Sequence, residues 1–249
     1  MVVTHPDQDH AEGLAPILEY YPVGTLWMLR PWIYADQLIQ HFPRMQSVAT
    51  LQQRLRDDYP YIAELEKIAQ KRGINIQEPF QGRKIGAFTV LTPSPARYGR
   101  LILRSDRTPQ LAPGLGGALA GLVQPIKAMA RMVRDGWGSE RFSSEDTSVE
   151  NEMSVVQWAN IAGDNIVLTG DAGREGMTEA ADHAPYEGLF LPGVQQFQVP
   201  HHGGRRIYRL RYVIVGSVSA CVRWSQRAAR PFTLSSALPR KIPTIPVTR

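Results

Sequence analysis

The residues with the clearest chemical potential lie near the N-terminus, in the segment His5-Pro6-Asp7-Gln8-Asp9-His10. Four possible metal ligands fall within these six residues: His5, Asp7, Asp9 and His10. They follow the short apolar run Val2–Thr4, and a tight loop after a strand lets side chains converge that a regular strand would send to opposite faces. Imidazole and carboxylate ligands together suit zinc, manganese or iron(II) better than calcium. The alternative is a polar turn without a metal.

Two further loops carry the same residue types. The apolar run Ile166-Val167-Leu168 leads through Thr169-Gly170 to Asp171, a position that suits a carboxylate bridging two metal ions. The alternative is that Asp171 caps a helix predicted from Asp171 to about Ala181. The predicted strand Val194–Val199 is followed by the paired histidines His201 and His202. Four of the six histidines therefore lie in loops after strands, which favours a shared site.

These motifs carry a family resemblance. Thr4–Gly13, Leu168–Asp171 and Val199–Gly203, in this order, resemble the signatures of the metallo-β-lactamase superfamily. More narrowly, they are similar to the hydrolase domain of ComEC-type DNA-uptake proteins and their free-standing relatives. The superfamily loop is usually His-x-His-x-Asp-His, and Asp7 stands at its second His, a variant that the subgroup shares. Asn151–Ser154 resembles the subgroup's Asn/Ser-containing replacement of the superfamily's middle His.

The resemblance implies an α/β protein, an αββα sandwich with two divalent metal ions, zinc or manganese, at one edge. His5 and Asp7 would hold one ion, and Asp9 and His10 the other. Asp171 would bridge the two ions, and either His201 or His202 would complete the ligand set. Asn151 and Ser154 would lie beside the site.

The implied chemistry is hydrolysis. Two divalent ions a few Å apart lower the pKa of a shared water and neutralise a developing oxyanion. Asp9 would orient the hydroxide, while a histidine such as His201 would contact the substrate or the leaving group. The subgroup resembles nucleases, so the expected substrate is a phosphodiester, with DNA and RNA as the candidate polymers. A lactone, thioester or β-lactam stays open, because substrate choice would lie in the insert around residues 93–145.

The predicted elements alternate between strands and helices, which indicates the α/β class. Residues 47–72 read as a helix that Pro60 divides, and Gly24–Leu29 reads as a buried strand. A hairpin is predicted from Met153–Ala159 and Asn165–Thr169, whereas residues 93–116 and 141–150 read as loops. Ala118–Val133 reads as a helix.

The resemblance also sets an expectation at the N-terminus. Superfamily members normally carry further strands before the His-rich loop, whereas this chain begins close to His5. We therefore expect a fold that is incomplete at its N-terminal strands, with the strand Leu26–Leu29 deprived of partners and its hydrophobic edges exposed.

Charge divides the chain into two parts. The net charge is +5, yet residues 188–249 contain ten Lys or Arg and no Asp or Glu. We predict a partial hydrolase domain at residues 1–204 and a basic Pro- and Arg-rich tail at 205–249. Clustered Arg beside Tyr208, Tyr212 and Trp224 would bind nucleic acid non-specifically, which keeps open a truncated, catalytically inactive homologue with a binding tail. The same composition is typical of translated out-of-frame sequence.

Composition excludes several other classes. Apolar residues at 43% and charged residues at 20% exclude disorder along the whole length. The single Cys221 excludes an internal disulfide framework and suits a reducing compartment. The longest uncharged stretch, Thr108–Ile126, is interrupted by prolines and glycines and is a poor membrane span. Since no signal peptide is visible, the expected location is cytoplasmic.

Overall fold

The computed structural model describes residues 1–109 and 147–203, with side chains as far as residue 201. The α-helices are α1 Gln8–Ala11, α2 Ala15–Tyr20, α3 Ala35–Leu38, α4 Val48–Asp58, α5 Pro60–Lys71, α6 Pro95–Arg104, α7 Val149–Glu152 and α8 Arg174–His183. The strands are β1 Thr25–Trp27, β2 Asn75–Gln77, β3 Lys84–Ile85, β4 Phe88–Thr92, β5 Val156–Ile161, β6 Asp164–Leu168 and β7 Gln196–Phe197. Short 3-10 helices cover Glu12–Leu14, Pro31–Tyr34, Ile39–His41, Ala184–Glu187 and Pro200–Gly203.

The strands form two sheets that the N-terminal residues connect. β1 and β2 are parallel, and the larger sheet has the order β3-β4-β5-β6-β7, in which only β6 and β7 are parallel. The Val3 amide donates to the Trp27 carbonyl, and the Val155 amide, just before β5, donates to the Thr4 carbonyl. The mixture of helices and sheets is compatible with the predicted α/β class, whereas the αββα sandwich stays a prediction.

The expected exposure of the first strand is wrong. β1 has β2 on one side, while its other side is paired with residues 1–3 through the bridge between Val2 and Trp27. Leu26 and Met28 are fully buried in the main hydrophobic core. Residues 1–3 are thus the second pairing partner of β1, the partner that the resemblance predicted to be missing.

The predicted helix at residues 47–72 is confirmed as α4 and α5, divided at Pro60. The Ser47 hydroxyl accepts a hydrogen bond from the Thr50 amide at the start of α4, as expected for an N-cap. The apolar faces of both helices, which include Leu51, Leu55 and Leu65, are buried in the main core.

The loops predicted at residues 93–116 and 141–150 are wrong in part: residues 93–94, 105–109 and 147–148 lie outside helices and strands as predicted, whereas two segments are helical. Residues 95–104 form α6, because Ser94 caps the helix and Pro95 occupies its first turn. Residues 149–150 belong to α7, whose N-terminus Ser148 caps. The helix predicted at Ala118–Val133 lies outside the described residues.

The hairpin β5–β6 is confirmed. Its turn places Ala162 and Gly163 at φ values of 55° and 95°, the left-handed pair that a tight hairpin requires. A second hydrophobic cluster, which includes Val156, Val167 and Ala180, packs this sheet against α8. Within the described residues, none of the helices combines the length and apolar character needed to cross a bilayer.

Candidate metal centre

Three chain segments meet at one end of the larger sheet. The His5 loop begins after Thr4, whose carbonyl accepts a hydrogen bond from the Val155 amide just before β5. Asp171 follows β6, and His201 follows β7; because β6 and β7 are parallel, the chain leaves both strands at the same end. Here one ligand atom from each of His5, His10 and Asp171 lies within 4.8 Å of the others. The structure thus brings together three of the residues that the sequence motifs singled out.

His5 has the properties of a metal ligand. Its side chain is 0% exposed, and its Nε2 is buried without a hydrogen-bond partner. Its Nδ1 lies 3.0 Å from the Thr4 hydroxyl oxygen, so a proton on Nδ1 has an acceptor and the lone pair remains on Nε2. Burial, followed by the charge of His10, lowers the pKa of His5 to about 4. The imidazole is therefore neutral at pH 7, the form that binds a metal.

Asp171 places a buried carboxylate among imidazoles. Its side chain is 7% exposed, and its Oδ2 lies 3.4 Å from His10 Nε2 and 4.0 Å from His5 Nε2. The alternative that Asp171 caps a helix is wrong, because α8 begins at Arg174 with Gly173 at its N-cap. Instead, the Asp171 amide donates to the buried Ser154 hydroxyl at 3.1 Å, which positions the carboxylate.

These distances fit a divalent ion. With metal–ligand bonds of about 2.1 Å, the ligands of a tetrahedral zinc ion lie about 3.4 Å apart. The His10–Asp171 distance equals this value, and the His5–Asp171 distance exceeds it by an amount that a small side-chain movement removes. A buried carboxylate beside the neutral, unpartnered His5 nitrogen is an arrangement that a cation would stabilise.

Asp7 and Asp9 stand at the edge of this group. Asp7 Oδ2 lies 3.8 Å from His5 Nε2, but its Oδ1 accepts a hydrogen bond from Arg107 at 2.7 Å. The Asp9 side chain is 72% exposed, and its Oδ2 lies 3.7 Å from His10 Nε2. Both carboxylates are near enough to join a larger ligand set after rearrangement, but neither belongs to the compact group of three.

His201 and Asn151 extend the site on the other side of Asp171. His201 Nδ1 lies 2.9 Å from both Asp171 Oδ2 and Asn151 Nδ2, so this nitrogen either donates to Asp171 or accepts from Asn151, depending on the tautomer. Asn151 Nδ2 donates to the Thr147 hydroxyl. His201 has a φ of 47°, a left-handed conformation that costs energy in a residue other than glycine. Of the paired histidines, His201 contacts Asp171; the side chain of His202 lies outside the described residues.

Sequence reasoning missed Arg107, which lies beside Asp7, and Glu150, which lies beside Arg107. Arg107 lies within residues 93–116, which read as a loop, and no local pattern connects it to Asp7, a hundred residues away. Glu150 lies in the segment 141–150 that reads as a loop, although the spacing from Ser148 to Glu150 and Asn151 suits a capped helical turn. That signal would have located α7.

Gly170 is needed where β6 turns into the site, and substitution should be costly. An added Cβ would lie 3.1 Å from Thr4 Cβ and 3.3 Å from Ser154 Cβ, and φ is 54°. We expect Gly170→Ala to lower the free energy of unfolding by about 2 kcal/mol or more, measured by urea denaturation. Gly86→Ala is the matched control, since φ is 61° with no atom within 4 Å of the added Cβ. Equal losses in both variants would show that crowding at Gly170 has no effect.

The chain matches no protein-family model and no curated protein. The resemblance to the metallo-β-lactamase superfamily therefore depends on the three motifs alone. Of the insert predicted around residues 93–145, the part from residue 110 onward lies outside the described residues, as does the basic tail at 205–249. Substrate selection by the insert and nucleic-acid binding by the tail remain predictions.

Proposed function

We propose that this protein is a metal-dependent hydrolase of the metallo-β-lactamase type, with a phosphodiester as its substrate. The observation that carries the proposal is the buried, unpartnered Nε2 of neutral His5, which faces a group completed by His10 and Asp171. A buried nitrogen without a partner has lost its hydrogen bond to water, which costs free energy unless another group or an ion replaces that bond. A divalent cation does so and also compensates the Asp171 carboxylate.

Some residues of the site would bind the metal ion, and others would act on the attacking water or the leaving group. His5, His10 and Asp171 would hold the ion, which when bound supplies a Lewis acid and lowers the pKa of a coordinated water. Asp9 would orient the attacking water, since its exposed carboxylate lies beside His10 at the mouth of the site. His201 would carry a proton to the leaving group, since a proton on its Nδ1 can be donated in a hydrogen bond to the Asp171 carboxylate, which orients the imidazole.

The preference for phosphodiesters follows from the resemblance to ComEC-type hydrolases. A lactone, thioester or β-lactam would use the same Lewis acid, so only substrate comparison separates these classes. The second divalent ion also follows from the resemblance, and it would require Asp7 and Asp9 to turn inward. DNA and RNA are the polymers whose backbones contain the proposed phosphodiester substrate.

Metal analysis and a paired assay test the proposal. The purified protein, loaded with zinc or manganese and dialysed, should retain at least about one ion per chain. It should then hydrolyse bis-p-nitrophenyl phosphate faster than the neutral ester p-nitrophenyl acetate, and chelation should abolish the activity. Retention of less than one ion with no hydrolysis of either compound would refute the proposal. Faster hydrolysis of the neutral ester would keep the hydrolase and change its substrate class.

A further inference from the structure

The candidate site contains a cationic side chain that no motif identified. Arg107 donates a hydrogen bond to Asp7 Oδ1 at 2.7 Å, on the side of Asp7 away from His5. The other oxygen, Oδ2, lies 3.8 Å from His5 Nε2. Asp7 therefore bridges the metal group and a guanidinium, and Arg107 pairs with the carboxylate that the resemblance assigns, with His5, to one of the two ions.

Contacts with Glu150, Tyr59 and Ser105 hold the Arg107 guanidinium in this position. Arg107 Nε lies 3.8 Å from Glu150 Oε1, and its guanidinium carbon lies 6.0 Å from the centre of the Tyr59 ring. Glu150 is buried and accepts from the Ser105 hydroxyl at 2.6 Å, which in turn accepts from the Tyr59 hydroxyl at 2.9 Å. The Arg107 amide also donates to the Ser105 hydroxyl at 3.1 Å. Although Arg107 is 41% exposed, it is thus fixed by buried partners.

We propose that Arg107 acts as a resident cation beside Asp7 and competes with any divalent ion that uses Asp7 as a ligand. This inference rests on the proposed metal centre. A guanidinium paired with Asp7 neutralises the carboxylate, removes one of its oxygens from the ligand set and repels a second cation. The ion at His5, His10 and Asp171 binds without displacing Arg107, whereas an ion that uses Asp7 must break the ion pair. The two ions therefore bind with unequal affinity.

Titration calorimetry of the full chain with manganese tests this order of binding. The wild type should bind one ion tightly and a second weakly. Arg107→Gln removes the guanidinium charge and should tighten the second binding step at least about tenfold. Arg107→Lys keeps the charge and should resemble the wild type. The exposed Arg83 provides the matched control, since Arg83→Gln removes an equal charge away from the site. Asp7→Asn should eliminate the second step in every background.

Each outcome decides the inference. Equal affinity of the two ions in the wild type, or unchanged second-step affinity in Arg107→Gln, would overturn it and leave the proposed hydrolase intact. Absence of binding in all variants would refute both proposals. Binding only in Arg107→Gln would overturn the inference, because the ion at His5, His10 and Asp171 should bind with Arg107 in place. Urea unfolding verifies that each variant is folded, and Arg107→Met replaces Arg107→Gln if that variant does not fold.

Discussion

Asp171→Asn should lower the affinity for zinc or manganese at least about a hundredfold and reduce hydrolysis of bis-p-nitrophenyl phosphate by a similar or larger factor. Asp171 is the only carboxylate in the compact group of ligands formed by the described residues. An asparagine keeps the shape and one oxygen but removes the negative charge, so the ion would be held by two imidazoles and an amide.

The free energy of unfolding provides a second measurement of the lost metal affinity in Asp171→Asn. A ligand that binds only the folded state at a concentration of 100 times its Kd raises the free energy of unfolding by about 2.7 kcal/mol. The wild type should show a gain of this size when metal is added, and Asp171→Asn should show almost none. Urea denaturation with and without zinc measures both values independently of any substrate.

Asp164→Asn is the matched control for this experiment. Asp164 lies exposed at the start of β6, the same strand that Asp171 follows, so it undergoes the same substitution away from the site. This variant should retain the metal affinity of the wild type and the same metal-dependent gain in the free energy of unfolding. If Asp171→Asn also retained them, the three-residue metal centre would be wrong.

The loops of the site could be predicted because each follows an apolar run. Local patterns indicated the strand before Asp171 and the paired histidines after the next strand. Because β6 and β7 are parallel, the loops that follow them lie close together. Strand pairing could not be derived in the same way, however. Nothing in the sequence indicated that residues 1–3 pair with β1, since that contact depends on the N-terminal backbone.

The remaining features depend on tertiary contacts that have no local signature. Arg107 meets Asp7 only because α6 carries the chain back to the His5 loop, and α6 itself was hidden by prolines that suggested a turn. Those prolines, preceded by Ser94, mark the beginning of a helix instead. Burial of the acidic α7 was equally unpredictable, since its charges are compensated by residues distant in the sequence.

Glu152→Ala should cause a large loss of stability, about 3–5 kcal/mol in the free energy of unfolding. Glu152, in α7, is buried and accepts hydrogen bonds from the Arg97 guanidinium. It also accepts from the amides of Glu175 and Gly176, so it caps α8, whose own N-cap Gly173 has no side chain. The Arg97 guanidinium also donates to the Glu152 carbonyl. Burial raises the pKa of Glu152, while Arg97 and the two amides favour its charged form.

Removal of Glu152 leaves the buried Arg97 without its closest carboxylate, and that stranded charge is the main cost. Arg97→Met in the Glu152→Ala background should therefore recover part of the loss, as measured by urea denaturation in a double-mutant cycle. Glu64→Ala is the surface control, since its pair with Lys67 is exposed and should change stability by less than about 0.5 kcal/mol. Additive losses at Glu152 and Arg97 would contradict the coupling. Because α7 also carries Asn151, which contacts His201, a confirmed coupling would make this ion pair a structural support of the metal centre.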